Sequence, residues 1–311
     1  MTSHTPRIRI WAVRLLWMYV IACVVAGTAL AEFSLRLPRK PLGDTMAFRE
    51  RMAREFQSKV EDVSLTAADG AVMKAWFVRP PEGNGEAVVL LHGIADNRVS
   101  IVGFSEMFLR RGYAVLMPDS RGQGESGGTI ATYGVRERDD VRRWVGWVRE
   151  RAPGCTYLLG ESMGAAIGLE ATAVTPELCA VAVESPYSLS RTVSYERLGW
   201  MTHTPTALWT TLGRPVVSIA ILYARWVYGD YAADAEPMIA VQRTSVPTLL
   251  IAGTADHNIL MHHAQDLERV CASHCELWIV PGADHGGATT VAHEEFERRV
   301  LGWFASHDGG R

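Results

Sequence analysis

A serine flanked by glycines is the residue best suited to act as a nucleophile. The segment Gly160-Glu161-Ser162-Met163-Gly164 follows the apolar run Tyr157–Leu159 and precedes a run of helix-forming residues, Ala165–Ala173. A G-x-S-x-G string arises by chance, but a strand before it and a helix after it form the context of a nucleophile turn. Such a turn strains the serine backbone and leaves room only for glycine two residues to either side. We therefore predict that Ser162 presents its hydroxyl at a helix N-terminus, whose dipole favours negative charge.

A carboxylate and an imidazole follow two later apolar runs. Asp256 comes after Pro247–Ala252, and His285 lies in a Gly-rich loop after Leu277–Val280. A histidine can take the proton of a serine hydroxyl, and a carboxylate can orient that histidine and stabilise its imidazolium form. The sequence therefore predicts Ser162 as nucleophile, His285 as base and Asp256 as acid.

Backbone N–H groups must hold the negative oxygen that forms when a serine attacks a carbonyl carbon. One of these groups belongs to the residue after the nucleophile, here Met163, and the other to the loop after an earlier strand. The apolar strand Ala87–Leu91 is followed by His92-Gly93, so we predict Ile94 as the second donor. His92 is interpreted as a residue that braces this loop.

Some charged residues allow a second interpretation. Glu184 also follows an apolar run and is a rival acid, and Asp256 would also serve as the N-cap of a following helix. Arg121 lies in a Gly-rich loop, where it would either bind an anionic substrate or, together with Asp119, brace the loop. We favour the bracing role.

The elements that must position these residues follow from the spacing of the apolar runs. An Asp-Gly turn predicts a hairpin over Val60–Thr66 and Val72–Val78. After it, short apolar strands alternate with segments of helical length, such as Val135–Arg151 and His263–Val270. This alternation predicts an α/β fold, a mostly parallel twisted sheet with helices on both faces. The predicted strands are Ala87–Leu91, Ala114–Met117, Tyr157–Leu159, Ala180–Val183, Pro247–Ala252 and Leu277–Val280.

The alternation is interrupted once, over residues 188–244. This segment has no strand pattern and contains several aromatic residues, among them Trp200, Trp209, Tyr223 and Trp226. Ligands of open α/β sheets bind at the carboxyl ends of the strands. We therefore predict a helical cap insertion over the active site, and a helix-rich connection without contact to substrate is the alternative.

An apolar segment precedes the globular part of the chain. No charged residue lies between Leu15 and Ala31, and the preceding residues include Arg7, Arg9 and Arg14, which is the pattern of an export signal. We predict a signal anchor that crosses a membrane once and places the catalytic domain on the extracytoplasmic side. A signal peptide cleaved after Ala31, which would give a secreted protein, and a buried helix of a soluble domain are the alternatives.

The composition is that of an ordinary globular protein. Its 311 residues are 48% hydrophobic and 21% charged, which argues against disorder and against a multispan membrane protein. The net charge of −3 without a basic run gives no support for nucleic acid as a partner. We divide the chain into a signal anchor or signal peptide over residues 1–31, a linker over 32–59 that includes a short helix before residue 57, and a catalytic domain over 60–311.

The motifs together resemble the α/β-hydrolase superfamily over about residues 60–304. The segments His92-Gly93-Ile94, Asp119–Ser126, Gly160–Gly164 and Gly282–His285 occur in the family's order, and the order Ser, Asp, His is the one it uses. The chain is most similar to the serine-aminopeptidase and monoacylglycerol-lipase-like branch, which includes members tethered by one N-terminal helix.

The resemblance implies the α/β-hydrolase fold and a serine hydrolase that works through an acyl-enzyme. The aromatic residues of the predicted cap indicate carboxylic esters with an apolar acyl or alcohol part as its substrates. The resemblance implies no metal and no organic cofactor, and it makes a small-molecule or lipid ester and the membrane the expected partners. An acyltransferase or peptidase with the same triad, or a non-catalytic membrane-tethered binding protein, are the alternatives.

The resemblance also bears on the cysteines. Cys23 lies in the apolar segment, and the other four form an even number, which agrees with export. In the family's fold the strands that follow Cys155 and Cys179 are neighbours, which implies a disulfide between these two residues. Four buried reduced thiols are the alternative.

Overall fold

The computed structural model describes residues 5–229 and 234–309, with side chains from residue 8 onward. The described residues form two compact units. The sheet unit consists of residues 36–193 and 234–309, and the helical unit consists of residues 5–35 and 194–229.

The described part of the sheet unit contains one sheet of eight strands in the order β1-β2-β4-β3-β5-β6-β7-β8. β1 pairs with β2, and β2 with β4, in antiparallel fashion, and all other neighbouring strands are parallel. Every predicted strand is present, with small shifts at its ends, so the predicted fold class is confirmed. The strands are β1 Val60–Thr66, β2 Val72–Val78, β3 Ala87–Leu91, β4 Ala114–Pro118, β5 Thr156–Glu161, β6 Leu178–Glu184, β7 Thr248–Gly253 and β8 Cys275–Val280.

Helices cover both faces of this sheet. They are α2 Met46–Phe56, α3 Val102–Leu109, α4 Glu137–Arg149, α5 Met163–Thr172, α9 Pro237–Val241, α10 His262–Cys271, α11 Ala288–Val291 and α12 His293–Ala305. The helical unit holds α1 Thr5–Leu35, α7 Thr206–Thr210, α8 Arg214–Tyr228 and all but the first turn of α6 Ser190–Thr202.

The central strands are apolar throughout because each side chain enters one of two core layers. In β3, Val89 and Leu91 pack in the layer that includes Trp144, whereas Val88 and Leu90 pack in the layer that includes Phe108. Successive side chains of a strand point to opposite faces. A strand buried on both faces therefore shows a continuous apolar run, which is why these strands are recognisable in the sequence.

The segment predicted as a linker contains α2, which packs on the sheet unit. Met52 is fully buried in the core layer of Phe108, and the Phe48 ring stacks on that of Trp76 with 5.2 Å between centroids. In the helical unit, α1 continues four residues beyond the predicted end of the anchor at Ala31, to Leu35. The described residues of the predicted cap contain helices and no strand, and its residues 230–233 lie outside the described part.

Two disulfides are present among the described cysteines. Cys155 and Cys179 are bonded, with 5.7 Å between their Cα atoms, which confirms the pairing expected from the family's fold. Cys271 and Cys275 form a second bond between the end of α10 and the start of β8, which the sequence did not specify. Cys23 is free and buried.

We expect the longer disulfide to contribute more to stability. Bonding Cys155 to Cys179 closes a loop with a sequence separation of 24 residues, against 4 for Cys271 and Cys275. A disulfide lowers the entropy of the unfolded chain more when its loop is longer, which stabilises the folded state by about 3.5 kcal/mol for the first bond and about 2 kcal/mol for the second. The double variant Cys155→Ala/Cys179→Ala should therefore lower the unfolding temperature of the purified protein more than Cys271→Ala/Cys275→Ala does. An equal or smaller effect of the first pair would contradict this expectation.

Candidate active site

Ser162 occupies a sharp turn between β5 and α5. Its backbone has φ 55° and ψ −114°, which lies in a region that residues with a side chain rarely adopt. The Ser162 N–H donates to the carbonyl oxygen of Glu184 at 2.9 Å, and the Ser162 carbonyl accepts the N–H of Ala166 at 3.1 Å. The turn is thus tied to β6 on one side and to the first turn of α5 on the other.

Two glycines make this turn possible. A Cβ on Gly160 would lie 2.4 Å from the carbonyl oxygen of Gly164, and a Cβ on Gly164 would lie 2.3 Å from that of Leu91. Real Cβ atoms do not approach backbone oxygens so closely. The G-x-S-x-G spacing therefore reflects close packing of the turn on itself and on the end of β3.

Asp256 and His285 lie in loops that leave neighbouring strands at the same edge of the sheet. Gly253 and Val280, which end β7 and β8, are paired in register. Beyond these residues the two loops are hydrogen-bonded to each other, because the Ala255 N–H donates to the carbonyl oxygen of Ala283 at 2.9 Å. This contact fixes the two loops relative to each other and brings their catalytic candidates together.

A continuous chain of hydrogen bonds joins the three predicted residues. His285 Nδ1 lies 2.8 Å from Asp256 Oδ2, and His285 Nε2 lies 2.8 Å from Ser162 Oγ. The Asp256 side chain is 2% exposed and the His285 side chain 22%. With the carboxylate as acceptor, Nδ1 carries the proton and Nε2 is free to accept the hydroxyl proton of Ser162.

Known proteins share this architecture. Residues 86–200 match the family model described as the alpha/beta hydrolase fold. The esterase Pf2001 of Pyrococcus furiosus superposes with a TM-score of 0.70 at 22% identity, covering 88% of this chain and 100% of the esterase. The chain has the α/β-hydrolase fold. A puromycin-hydrolyzing peptidase of Mycobacterium tuberculosis superposes with a TM-score of 0.63 at 18% identity, covering 82% of this chain and 40% of the peptidase.

Sequence relatives extend over most of the chain. It is 22% identical over 290 residues to YqkD, an uncharacterised protein of Bacillus subtilis (strain 168), which covers 90% of this chain and 92% of YqkD. It is 25% identical over 252 residues to YfhR, an uncharacterised protein of Escherichia coli (strain K12), with 78% of each chain covered. The likeness to YqkD thus includes parts of the chain outside the family-model match.

Hydrogen bonds keep Asp256 ionised although it is buried. Burial by itself would raise the pKa of the Asp256 carboxyl, but the hydrogen bonds from His285 and from the backbone of Ile259 outweigh it, and the net pKa is lowered. Asp256 Oδ1 accepts the N–H groups of Asn258 and Ile259, both at 2.8 Å. Asp256 does not cap a helix, because the next helix, α10, begins at His262 and its N-cap is Met261; its Oδ1 instead stabilises the turn at Asn258 and Ile259, and its Oδ2 contacts His285.

The rival acid Glu184 does not contact His285 in this geometry. Its Oε1 accepts the N–H of Ala288 at 2.8 Å, and its Oε2 has no hydrogen-bond partner among the described residues. Burial raises the pKa of Glu184 to about 7, and the neighbouring carboxyl of Glu161 adds to this effect. Burial also raises the pKa of Glu161, which pairs with Glu184 across β5 and β6. Sequence reasoning missed Glu161, whose proximity to Glu184 depends on the strand register.

The loop that should carry the second oxyanion donor lies beside the nucleophile. A Cβ on Gly93 would be 3.7 Å from the Cβ of Ser162. Met163 is the first residue of α5, where a backbone N–H has no partner inside the helix. The roles of Ile94 and Met163 as oxyanion donors stay predictions that this placement supports.

His92 and Arg121 have structural contacts. His92 is fully buried, its Nε2 accepts the Ser120 N–H at 3.0 Å, and burial lowers its pKa. Arg121 is 3% exposed and donates to both oxygens of Asp140 at 2.8 Å and to Asp69 at 2.7 Å. These contacts agree with the bracing roles preferred from the sequence, because the buried guanidinium of Arg121 is paired with two carboxylates and not with solvent.

One described side-chain group within the sheet unit has the composition of a metal site. Cys271, His274 and Cys275 bring their ligand atoms within 4.8 Å of one another. The two sulfurs are bonded to each other, and His274 Nε2 lies 3.1 Å from the carbonyl oxygen of Val241. A disulfide lacks the thiolates that bind metals, so these residues do not fit a metal ion in this state.

Replacement of Glu184 should change how stability depends on pH. A carboxyl whose pKa rises from 4.5 to about 7 on folding stabilises the folded state below pH 4.5, and this contribution is lost as the pH rises through 7. The loss is on the order of 3 kcal/mol. Glu184→Gln keeps an oxygen for the Ala288 N–H and cannot ionise, so its unfolding temperature should fall less between pH 5 and pH 8 than that of the wild type. Glu150→Gln, at an exposed position, serves as the control, and identical pH profiles for all three proteins would contradict the account.

Proposed function

We propose that the protein is a serine hydrolase that cleaves carboxylic esters with an apolar acyl or alcohol part. The observation that carries this proposal is the hydrogen-bonded chain from Asp256 through His285 to Ser162 Oγ, with 2.8 Å at each contact. This order of contacts activates a serine hydroxyl in enzymes that transfer acyl groups. The esterase and peptidase among the structural neighbours belong to the same broad class of hydrolases.

The first half of the proposed reaction forms an acyl-enzyme. His285 Nε2 takes the proton of Ser162 Oγ as that oxygen attacks the ester carbonyl carbon. The carbonyl oxygen becomes negative and accepts the backbone N–H groups of Ile94 and Met163, as predicted from the sequence. His285 then gives its proton to the leaving alkoxide, which departs as an alcohol.

The second half uses water in place of the alcohol. His285 takes a proton from the water, whose oxygen attacks the acyl carbon, and then returns that proton to Ser162 Oγ as the acid leaves. During both halves the ionised Asp256 stabilises the imidazolium form of His285. The low pKa of Asp256 is what this role requires, since a protonated carboxyl would lose that charge.

The apolar preference rests on the predicted cap. Its exposed aromatic residues include Trp200, whose ring suits an apolar substrate better than a charged one. Arg121, the charged residue considered for substrate binding, is occupied by Asp140 and Asp69.

We place the catalytic domain on the extracytoplasmic side of a membrane. Residues Ile8–Leu35 of α1 are long and apolar enough to cross a bilayer, and the basic residues Arg9 and Arg14 lie near the N-terminal end of this helix. Disulfides persist in oxidising compartments, and the two bonds of the sheet unit support export. The mass of the exported protein distinguishes retention of α1 as an anchor from its removal by signal peptidase after Ala31.

Substitutions in the hydrogen-bonded chain should reduce ester hydrolysis by different amounts. Ser162→Ala removes the nucleophile and should lower kcat by about 10⁶-fold, whereas Asp256→Asn should lower it by about 10⁴-fold through the wrong imidazole tautomer. Glu150→Gln, at an exposed position of the sheet unit, is the control and should leave kcat unchanged. The measurement is hydrolysis of p-nitrophenyl esters of increasing chain length by the purified full chain.

The same experiment separates the alternatives. An ester product in the presence of an added alcohol acceptor identifies an acyltransferase, and faster cleavage of peptide anilides than of esters identifies a peptidase. A folded wild type that cleaves none of these substrates, at a rate equal to that of Ser162→Ala, would contradict the proposal and favour a binding protein.

A further inference from the structure

The two long helices of the helical unit pack along a line of small residues. The buried positions of α1 recur every fourth residue at Cys23, Gly27, Ala31 and Leu35. A Cβ on Gly27 would lie 2.7 Å from the carbonyl oxygen of Val216 in α8, so the two backbones are in close contact. Small residues at such a spacing are typical of helix pairs inside membranes.

Hydrogen bonds set the direction and extent of this pairing. Tyr19 Oη donates to the carbonyl oxygen of Leu212, just before α8 begins, at 2.6 Å. Near the other end, Glu32 accepts hydrogen bonds from Tyr223 at 2.8 Å and from Tyr228. The helices therefore run in the same direction, and α8 lies beside the stretch of α1 from Tyr19 to Glu32, which is about 20 Å long.

This stretch of α1 belongs to the segment proposed to cross the membrane. It contains the uncharged residues that precede Ala31. In the most apolar 18-residue stretch of Ile8–Leu35, 11% of the residues are buried within the protein. A helix in close contact with a membrane-spanning helix occupies the same depth range of the bilayer. The position of α8 follows from that of α1.

The exposed side of α8 and the turn before it have the composition expected of a surface in lipid. Leu212 is 64% exposed, Leu222 65% and Trp226 85%. From Leu198 to Gly229 the chain has no acidic residue and two basic ones, Arg214 and Arg225. A soluble helix normally covers its exposed side with charged residues of both signs.

The two arginines identify the polar part of that surface. Arg214 and Arg225 lie about three helical turns apart and so share one side of α8. No ion pair involves either of them among the described residues, although both are exposed. The two arginines are about 16 Å apart along α8, so Arg225, near the end that lies beside Glu32, is the one at the level of lipid phosphates, and Leu222 lies about one turn deeper among acyl chains.

We propose that α8 is a second membrane-contacting element, which lies in the outer leaflet of a phospholipid bilayer against α1. Leu212, Leu222 and Trp226 contact acyl chains, and Arg225, near the end of α8 that lies beside Glu32, binds a phosphate group. The predicted cap is thereby joined to the anchor and is part of the membrane-embedded portion of the protein. The inference requires α1 to remain in the membrane, and it does not depend on the chemistry at Ser162.

The test measures the depth of single labels on the full chain in phosphatidylcholine vesicles. A bimane fluorophore is attached to Leu222→Cys, Trp226→Cys or, as a control on the sheet unit, Glu150→Cys, whose side chain is 75% exposed. All three carry Cys23→Ala, which removes the free thiol and keeps a small residue at the helix contact. Nitroxides on the lipid acyl chains quench from within the bilayer, and iodide quenches from water.

We expect acyl-chain nitroxides to quench the labels at positions 222 and 226 several-fold more than the label at position 150, and iodide to show the reverse order. Equal iodide quenching at all three positions would overturn the inference. The variant Trp226→Phe gives a second measurement without any label, because it should reduce the quenching of tryptophan emission by brominated phosphatidylcholine. No change on this substitution would also overturn it.

Extraction with alkaline carbonate separates the two membrane elements. Protein that leaves the vesicles lacks a spanning anchor, which overturns both the anchor and the placement of α8. Protein that stays in the vesicles while the labels on α8 remain accessible to iodide overturns the placement of α8 alone.

Discussion

The strained backbone of Ser162 is the constraint on which the candidate site depends. A positive φ at a residue with a side chain costs on the order of 1–3 kcal/mol and persists only where surrounding contacts enforce it. Here those contacts are the Ser162 N–H bond to the carbonyl oxygen of Glu184 and the close packing of Gly160 and Gly164. The strain places the hydroxyl at the carboxyl edge of the sheet, where the loops after β7 and β8 bring Asp256 and His285 to it.

The carboxyl groups of Asp256 and Glu184 differ in pKa because they differ in burial and in hydrogen bonding. Asp256 accepts bonds from His285 and from the N–H groups of Asn258 and Ile259, and its pKa is lowered despite burial. Glu184 accepts the Ala288 N–H and has one oxygen without a partner among the described residues, and burial raises its pKa to about 7. Two buried carboxyls thus have opposite pKa shifts, and the one whose pKa is lowered is the one in contact with the imidazole.

The sequence predicted the parts of the site that depend on local patterns. Ser162, Asp256 and His285 each follow an apolar strand of a mostly parallel sheet, and parallel strands end at one edge, so their proximity could be expected. The Cys155–Cys179 bond followed from the neighbouring positions of two strands in the family's fold.

Contacts between side chains distant in sequence leave no such pattern. The pairing of Glu161 with Glu184 depends on the register of β5 and β6, and Gly27 contacts Val216, which lies in a distant part of the sequence. The burial of Met52 in the predicted linker could not be predicted for a similar reason, because nothing in its own segment reveals the surface that covers it.

The most direct test of the central claim is covalent labelling by a fluorophosphonate, with the labelled residue located by mass spectrometry. The probe reacts with serines whose hydroxyl is activated by a neighbouring base. Ser185 is the suitable comparison, because it also has a positive φ, at 53°, and lies at the end of the strand next to that of Ser162. The account predicts a single adduct on Ser162, which Ser162→Ala abolishes and Ser185→Ala leaves in place. A folded wild-type protein that remains unlabelled, or an adduct on another residue, would contradict it.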